Sequence, residues 1–551
     1  SDSLQTASNL HVKANNYFYN NLYGIYTSRC NTTVRGVLMD TVRYGVHMRN
    51  SYLSTVADIS TNTINAYFRG IDLLNNAGSG GISVRENTIN INAGASAPRG
   101  ISMSETTFGK SNYKIENNFL TLNGADHGII ANAVAAPLIT GNIINQNPLT
   151  APNSSSGITI NGCDSAIVSC NTITSTYNMA QNLATGIRVD ISPANYISCN
   201  NTDGHHIGIF FGGNCPATNF AGNDLWDHNL GLNLNGSAVI DTQTHAGNRW
   251  LGTYTNFGAV NNNAAIVSDL YKNLFIVNSS AGSGYIPSFP SASPDNTGWF
   301  DLVGSGTTYL CDTTCPEASR LDGGSEELRQ LVAKDSIITT EFIPESKIIA
   351  RQHLYEELKT DPSLILSNTT LHAFQVNNQF TSIGYLSNAR NFFNQSTQLD
   401  ATIANDLSQT SASISAINHQ IFAFDSLIAF QPTHELLQER NIAIQALEAE
   451  LSVQSNLINL HANPIVTLYQ QARNNNNLVV PVGIPDANEK YINYIILKFQ
   501  EGGFENITSD FVGILNLAQQ CPYSGGKAVY VARTFVSLFD DEVSYDDKTT
   551  C

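Results

Sequence analysis

The chain has 551 residues and a formal net charge of −18, and only 13% of its residues are charged, against about 25% in typical soluble domains. This length allows two or three domains. Neither half offers the basic surface that nucleic acids or anionic membranes require, and no apolar run reaches the length of a membrane span.

The acidity is unevenly distributed. Residues 1–250 hold 14 acidic and 12 basic residues, whereas residues 301–551 hold 29 and 14. The first half is therefore almost neutral, and the negative charge belongs to the C-terminal part.

One short pattern returns along the first half: an asparagine and an aliphatic residue, a variable loop, then glycine and alternating aliphatic residues. The repeats are 23 to 31 residues apart, and repeats of this length with an inner period of two predict a solenoid of short strands. We expect each asparagine to occupy a sharp left-handed corner and to bond to the asparagine about 4.8 Å above it. The ladder asparagines are Asn62, Asn87, Asn118, Asn142, Asn171, Asn200, Asn223 and Asn248.

These repeats resemble those of right-handed parallel β-helix proteins, in which such asparagine ladders are common. The resemblance covers about residues 10–250 and implies the fold, with aliphatic columns such as Val168, Ile197 and Phe220 in the bore. It implies no particular activity, because lyases, hydrolases, adhesins and inert stalks share this architecture.

The remaining chain divides into three parts. Residues 251–320 are rich in Pro, Gly and Ser and are interpreted as a cap and linker. They contain the pair Cys311 and Cys315, which lacks the second ligand pair of a zinc site. Residues 321–540 predict an α-helical domain, with late helices at about 488–500, 508–520 and 525–538. Residues 541–551 form an acidic tail that we expect to be extended.

Apolar residues recur at heptad spacing on both sides of Gln431-Pro432. This predicts an antiparallel helical hairpin with arms of about 30 residues, or about 45 Å. We interpret the stripes as the buried seam between the two helices. The seam residues are Ile414, Ile417, Ile421, Phe424 and Ile428 on the first arm, and Leu437, Ile444, Leu447, Leu451 and Ile458 on the second.

Nine cysteines are present. Cys170 and Cys199 each precede a ladder asparagine, so they should lie one above the other at a separation that a disulfide accepts. A bridge and two stacked free thiols are both open to this pair. The odd total leaves at least one cysteine without a partner in the chain, and the number favours an oxidising location outside the cytoplasm.

The best cluster of chemistry-bearing residues follows the ladder near Asn200. Its Asn-Thr-Asp and His elements are similar to those of polygalacturonases, but here they are contiguous, and that family's Asp-Asp pair and Arg-x-Lys are missing. The cluster is a candidate catalytic or sugar-binding site, or alternatively a solvated corner. Its members are Asp203, His205, His206, Asp224 and Asp227.

Calcium is the one ion for which the cluster offers ligands, because the carboxylates of Asp203, Asp224 and Asp227 on adjacent coils could reach one ion. We expect no other cofactor. The loops at the insertion corner, residues 143–156 and 172–185, contain no charged residue, so they supply no acid or base.

Arginines make the N-terminal coils mildly basic. They are interpreted either as a solvated surface or as a patch that meets the acidic C-terminal part of another copy, head to tail. The four are Arg29, Arg35, Arg43 and Arg49.

A short C-terminal segment resembles the sequence that precedes the sorting domain in proteins secreted by the type IX route of Bacteroidota. No sorting domain follows it here. The resemblance implies a location at the cell surface or in the medium. Its residues are Cys521-Pro522, Gly525-Gly526-Lys527-Ala528-Val529-Tyr530 and Ala532-Arg533.

Together these features predict a β-helical solenoid followed by a helical domain, in a secreted or cell-surface non-catalytic protein with a structural or adhesive role. It would serve as a fibre or matrix subunit, with a homo-oligomer or head-to-tail polymer as its assembly. The alternative is a polysaccharide lyase, a glycoside hydrolase or a carbohydrate-binding protein that uses the β-helix groove. The predicted partners are therefore other copies of the chain and polysaccharides, not nucleic acids.

Overall fold

The computed structural model describes most of the chain. The described residues are 8–14, 16–28, 30–51, 56–76, 81–92, 97–106, 112–147, 155–176, 184–263, 272–287, 299–304, 306–311, 326–337, 339–366, 368–396 and 401–551. The predicted roles of Arg29 and Cys315 lie outside these residues.

The first part of the chain is a parallel β-solenoid of about ten turns, which confirms the predicted solenoid. Successive coils place their strands in parallel register on three faces. The first face consists of β1 (Ser8–Val12), β4 (Cys30–Arg35), β6 (Ala57–Ser60), β8 (Ile82–Arg85), β11 (Tyr113–Glu116), β14 (Leu138–Thr140), β17 (Ile167–Ser169), β20 (Tyr196–Ser198) and β23 (Asn219–Ala221).

The other two faces share long strands that bend around a corner. We call them the ladder face and the docking face. The ladder face holds β2 (Tyr17–Tyr19), β9 (Thr88–Asn92), β12 (Phe119–Asn123), β15 (Ile143–Asn147), β18 (Thr172–Ser175) and β21 (Asn201–Asp203). The docking face holds β3 (Tyr23–Ser28), β10 (Arg99–Ser104), β13 (His127–Asn132), β16 (Ser156–Asn161), β19 (Thr185–Asp190) and β22 (Ile207–Gly212). The shared strands are β5 (Leu38–Arg49), β7 (Thr63–Leu74), β24 (Asp224–Leu234) and β26 (Arg249–Asn261).

Alternate residues of each strand point into the bore and stack on the same position of the next coil. Val168 pairs with Ile197, and Ile197 with Phe220. All three side chains are fully buried. The predicted core column is confirmed.

The asparagine ladder is confirmed along its whole length. The backbone N–H of each ladder asparagine donates to the Oδ1 of the next one at 3.0–3.1 Å. Its Nδ2 donates to the same oxygen at 2.9–3.0 Å. A buried polar side chain at every coil is therefore satisfied by its neighbours, which makes the ladder stabilising.

The left-handed corner, however, is not at the asparagine. It falls on the residue before it, with φ between +54° and +70°. The prediction was wrong in this detail, because the asparagine must keep a conformation that aims its amide along the solenoid axis. The left-handed residues are Thr61, Glu86, Asn117, Gly141, Cys170, Cys199, Gly222 and Gly247.

The solenoid extends to residue 303, beyond the predicted end at residue 250. Three parallel strands form its last part: β25 (Gln243–Thr244), β27 (Phe275–Asn278) and β28 (Phe300–Val303). A cluster of aromatic rings fills this end of the bore, with centroids 4.7–6.3 Å apart. Its rings are Trp250, Phe275, Trp299 and Phe300.

An α-helical region follows, as predicted. It consists of α1 (Glu326–Ala333), α2 (Ile343–Thr360), α3 (Ser363–Leu366), α4 (Thr369–Asn378), α5 (Ser382–Ser396), α6 (Ala401–Phe430), α7 (His434–Leu478), α8 (Ile484–Ile507), α9 (Phe511–Ala518), α10 (Pro522–Gly525), α11 (Ala528–Phe539) and α12 (Asp547–Thr550). None of these described helices is long and apolar enough to cross a membrane.

Helices α6 and α7 form the predicted antiparallel hairpin. Gln454 Nε2 donates to Ser411 Oγ at 3.3 Å, and Arg440 pairs with Asp425 nearer the tip. The two helices therefore run in opposite directions. The α7 helix begins after Pro432, where Thr433 Oγ1 accepts from the N–H of Leu436 at 3.2 Å.

The hairpin seam matches the prediction on α6 but is rotated on α7. The five predicted α6 residues are all half-buried, whereas Leu437 and Leu451 on α7 are exposed. Leu436 and Ala443 take the inward positions instead. The side chain of Ile458 lies outside the described residues. The predicted α7 stripe is confirmed at Ile444 and Leu447, which are half-buried, and was wrong at Leu437 and Leu451, because neighbouring apolar residues on α7 support both registers.

The helical region packs along the side of the solenoid. Leu74, Ala133 and Ile191 from the docking face share one buried cluster with residues of α8, α9 and α11. The acidic tail also contacts the solenoid, because Asp541 and Glu542 meet residues of β5. The expected extended tail is therefore wrong: the tail packs on the molecule and ends in helix α12.

Two disulfides between described residues join separate segments of the chain. Cys199 pairs with Cys311, 112 residues away, and Cys521 pairs with Cys551. The predicted partner of Cys199 was therefore wrong, although Cys170 is disulfide-bonded as well. The bridge from Cys199 to Cys311 ties a solenoid corner to the segment after its last strand.

Candidate functional site

Side chains on the ladder face form straight columns that run along the solenoid. Residues in the same column pair across neighbouring coils, so each lies directly above the next. The central column contains Asn65, Asn90, Thr121, Asn145, Thr174, Asp203 and Trp226. A second column contains Thr63, Thr88, Phe119, Ile143, Thr172, Asn201 and Asp224.

Hydrogen bonds between coils fix these outward amides. Asn90 Nδ2 donates to Asn65 Oδ1 at 2.8 Å, and Asn65 Nδ2 donates to Asp40 Oδ1 at 3.1 Å. Further along, Thr174 Oγ1 donates to Asn145 Oδ1 at 2.8 Å. These bonds restrict rotation of the side chains, so the face is a rigid polar surface.

A third column repeats this arrangement at the edge of the face. Asn123 Nδ2 donates to Asn92 Oδ1 at 2.8 Å, and Asn147 Nδ2 donates to Asn123 Oδ1 at 3.3 Å. None of the described outward residues from Thr63 to Thr176 on these strands is charged. This part of the ladder face is therefore neutral in a strongly acidic protein.

The predicted cluster lies at the C-terminal end of the ladder face. Burial first, and the charge of nearby Asp227 second, raise the pKa of Asp203 above its ordinary value. Asp227 Oδ1 accepts from Thr253 N at 2.7 Å and from Thr253 Oγ1 at 2.9 Å. The structure thus brings two of the five predicted site residues into electrostatic contact.

The histidines at this end of the ladder face lie in different environments. His205 and His228 are buried in the bore, and His206 is half-buried. His205 is fully buried, and its Nε2 lies 2.7 Å from Gln146 Oε1. His228 is also buried and accepts from the backbone N–H of His205 at 3.1 Å. Burial lowers the pKa of His205 well below its ordinary value and that of His228 to about 4. Both rings are therefore neutral structural groups of the bore.

His206 and Asp224 make separate surface contacts. Asn229 Nδ2 lies 3.0 Å from His206 Nδ1. Asp224 forms a two-point ion pair with Arg249, with one contact of 2.7 Å. Asp224 is therefore already neutralised by an arginine.

The calcium hypothesis finds little support in this arrangement. Within the described part of the chain, no group of three or more His, Cys, Asp or Glu residues is arranged to hold a metal ion. Asp203 and Asp227 alone would provide two carboxylates, fewer than the six to eight oxygen ligands of calcium.

A small charged pocket lies between the solenoid and the helical region. Within it, Arg390 Nε lies 2.7 Å from Glu489 Oε1, and Arg390 Nη1 lies 3.6 Å from Glu356 Oε1. Lys527 pairs with Asp164 of the solenoid. The ion pair of Lys527 and Asp164 thus links the helical region to the solenoid, whereas Arg390, Glu356 and Glu489 all lie within the helical region.

Two of the N-terminal arginines also pair within the chain. Arg43 forms an ion pair with Glu542 of the acidic tail, and Arg35 pairs with Asp58 on the next coil. The expected contact between the basic N-terminal end and the acidic part of another copy stays a prediction. In the structure, the contact of Arg43 is made inside one copy.

The segment that resembles a type IX sorting-associated sequence has a structural role here. Tyr523 and Lys527 contact the solenoid, and Tyr530 is buried against Gly162. No sequence pattern indicates this role, since the contacts reach solenoid residues more than 300 positions away.

Comparison with known proteins does not place the chain in a family. No protein-family model matches it, and no curated protein matches it either. The function is therefore inferred from the surface residues of the protein.

Proposed function

We propose that the chain is a non-catalytic structural or adhesive protein of the cell exterior, in which a rigid solenoid carries a helical hairpin that joins copies to one another. The observation that carries this proposal is a second apolar stripe on α7. Ile442, Ala449, Val453 and Leu460 are all exposed and follow one another at intervals of seven, four and seven residues.

This spacing places the stripe on one side of the helix, away from the inward residues Leu436 and Ala443. Large apolar residues near the tip are exposed as well, with Phe422 at 74% and Phe430 at 93%. An apolar stripe of this kind suits a helix of a second hairpin, in a symmetric contact that uses the same surface twice.

An exterior location is supported by the two disulfides, because such bonds persist in oxidising compartments. The type IX route suggested by the C-terminal resemblance stays a prediction. Detection of the chain in the culture medium of its source, with its cysteines oxidised, would support export.

Light scattering of the purified chain over a range of concentrations tests the hairpin contact. We expect Val453→Glu to lower the mass to that of one chain, because it places a charge in the stripe. The matched control is Ser455→Glu, which adds the same charge at an exposed position on the other side of α7. A single-chain mass for the unaltered protein at all concentrations would refute the proposal.

A glycoside hydrolase or lyase is the second candidate, and the raised pKa of Asp203 beside Asp227 is the observation that favours it. A carboxyl group with a raised pKa is suited to act as a general acid. Incubation with a panel of polysaccharides tests this candidate. Release of soluble sugars that Asp203→Asn abolishes would establish the enzyme and overturn the non-catalytic proposal.

A further inference from the structure

We infer that the ladder face binds an uncharged polysaccharide laid along the solenoid axis. This inference deepens the adhesive part of the proposed function and rests on it, since it names the class of ligand. It does not depend on the hairpin, which lies on another part of the molecule.

The charge distribution selects an uncharged ligand. The protein has a net charge of −18, yet the described outward positions from Thr63 to Thr176 on the ladder face carry none of it. A polyanion would find no cations among these positions, and a cationic peptide would find carboxylates only beyond them, at Asp40 on one side and at Asp203, Asp224 and Asp227 on the other. A neutral ligand with many hydroxyl groups fits best.

The hydrogen-bonding capacity of the columns supports the same class. An asparagine side chain offers two donor hydrogens and two acceptor lone pairs. The bond from Asn90 to Asn65 uses one donor hydrogen of Asn90 and one lone pair of Asn65, and the bond from Asn123 to Asn92 repeats this use. The amides are held in place, and their remaining donors and acceptors face outward. A ligand that binds them therefore loses little free energy to ordering the side chains.

Apolar side chains interrupt the polar columns and add a second type of contact. Phe119 and Trp226 are 40% and 39% exposed, and Ile143 stands beside Phe119 on the next coil. An exposed aromatic ring offers an apolar surface with polar neighbours, which suits the C–H face of a sugar ring. Amides that lie beside an exposed ring such as Phe119 favour a saccharide over a purely polar ligand.

The length of the surface favours a polymer. Within the uncharged part of the central column, four coil steps separate Asn65 from Thr174, or about 19 Å at about 4.8 Å per step. The described outward residues along it are exposed or half-buried, so a repeating chain can contact several coils at once. Each contact is weak, and affinity comes from their number.

Retention on insoluble neutral glucans, chitin and mannan, compared with pectate and alginate, tests the inference. We expect the full chain to bind at least one neutral polymer with little dependence on salt, and to release no sugar. Thr121→Glu should weaken this binding at least tenfold, because it places a charge in the central column. The matched control is Leu138→Glu, which adds the same charge at a half-buried position on the first face, beside Lys114.

Phe119→Ala supplies a second variant that adds no charge, and it should also weaken retention. Thermal unfolding of all variants checks that they are folded. Lack of retention on every neutral polymer, salt-sensitive retention on the anionic polymers alone, or equal loss in Thr121→Glu and Leu138→Glu would each overturn the inference. These outcomes leave the hairpin test unaffected, whereas a single-chain mass with retained binding would overturn hairpin assembly alone.

Discussion

The hydroxyl group of Tyr523 in the helical region donates a hydrogen bond of 2.8 Å to Asp190 Oδ1 at the end of a solenoid strand. Both residues are buried, and Arg188 pairs with the same carboxylate. This contact joins segments more than 330 positions apart and fixes the side on which the helices pack.

Tyr523→Phe should therefore destabilise the protein. The change leaves a buried carboxylate oxygen without its donor, at a cost of about 1–3 kcal/mol. Denaturant unfolding measures the loss, and Tyr19→Phe, at an exposed position of β2, serves as the control. Equal stability of the two variants would show that the Tyr523 contact contributes nothing.

The asparagine ladder should be sensitive to single substitutions. Asn142 Oδ1 accepts from Asn118 N at 3.0 Å, and Asn142 Nδ2 donates to Ile115 O at 2.9 Å. Asn142→Ala leaves these buried groups unpaired, so we expect a loss of about 2–4 kcal/mol. Asn92→Ala, at an exposed ladder-face position, should cost much less in the same unfolding measurement. A small loss for Asn142→Ala would mean that water replaces the amide.

Buried histidines should make the solenoid sensitive to acid. Burial, and then Arg99 and Arg188, lower the pKa of His127 from 6.5 to about 3. Between these values the unfolded chain binds a proton that the folded chain does not, so stability is complete above about pH 6.5 and falls as the pH decreases.

From about pH 7.5 to about pH 5, His127 alone should account for a loss of about 2 kcal/mol. His127→Gln should reduce the difference between the unfolding free energies at the two pH values by that amount. His11→Gln, at an exposed position, should leave the difference unchanged. An unaltered pH dependence in His127→Gln would contradict the assignment of a neutral buried ring.

The disulfide between Cys521 and Cys551 should hold the acidic tail on the solenoid. It closes a loop with a sequence separation of 30 residues, for which chain entropy predicts about 3–4 kcal/mol. Cys551→Ser should lower the unfolding free energy by a similar amount and expose the tail to proteases. Cys30→Ser removes a free cysteine and should leave the tail protected. Tail cleavage at equal rates in both variants would argue against this role.

The regular part of the fold could be predicted because each coil repeats the same physical requirement. A ladder asparagine and alternating aliphatic residues recur at every turn, so the period alone indicates the solenoid. The hairpin was predictable for the same reason, since its α6 stripe keeps one register.

Contacts that occur once could not be predicted in this way. Cys199 follows the repeat, but its partner Cys311 lies beyond the last strand, where no period applies. The candidate site shows a second limit, because His205 and His206 are neighbours in sequence yet only His205 enters the bore. The predicted site residues thus comprise one buried histidine, His205, and several residues at the surface.

Electron microscopy of the purified full chain, with a label attached at the hairpin tip, tests directly whether the hairpins join copies of the chain. If the hairpins join the copies, we expect rods connected through their hairpins, with the labels meeting at each junction. We expect dispersed rods for Val453→Glu. Dispersed rods for the unaltered chain at high concentration, or filaments joined through the ends of the solenoid with the labels apart, would contradict assembly through the hairpins.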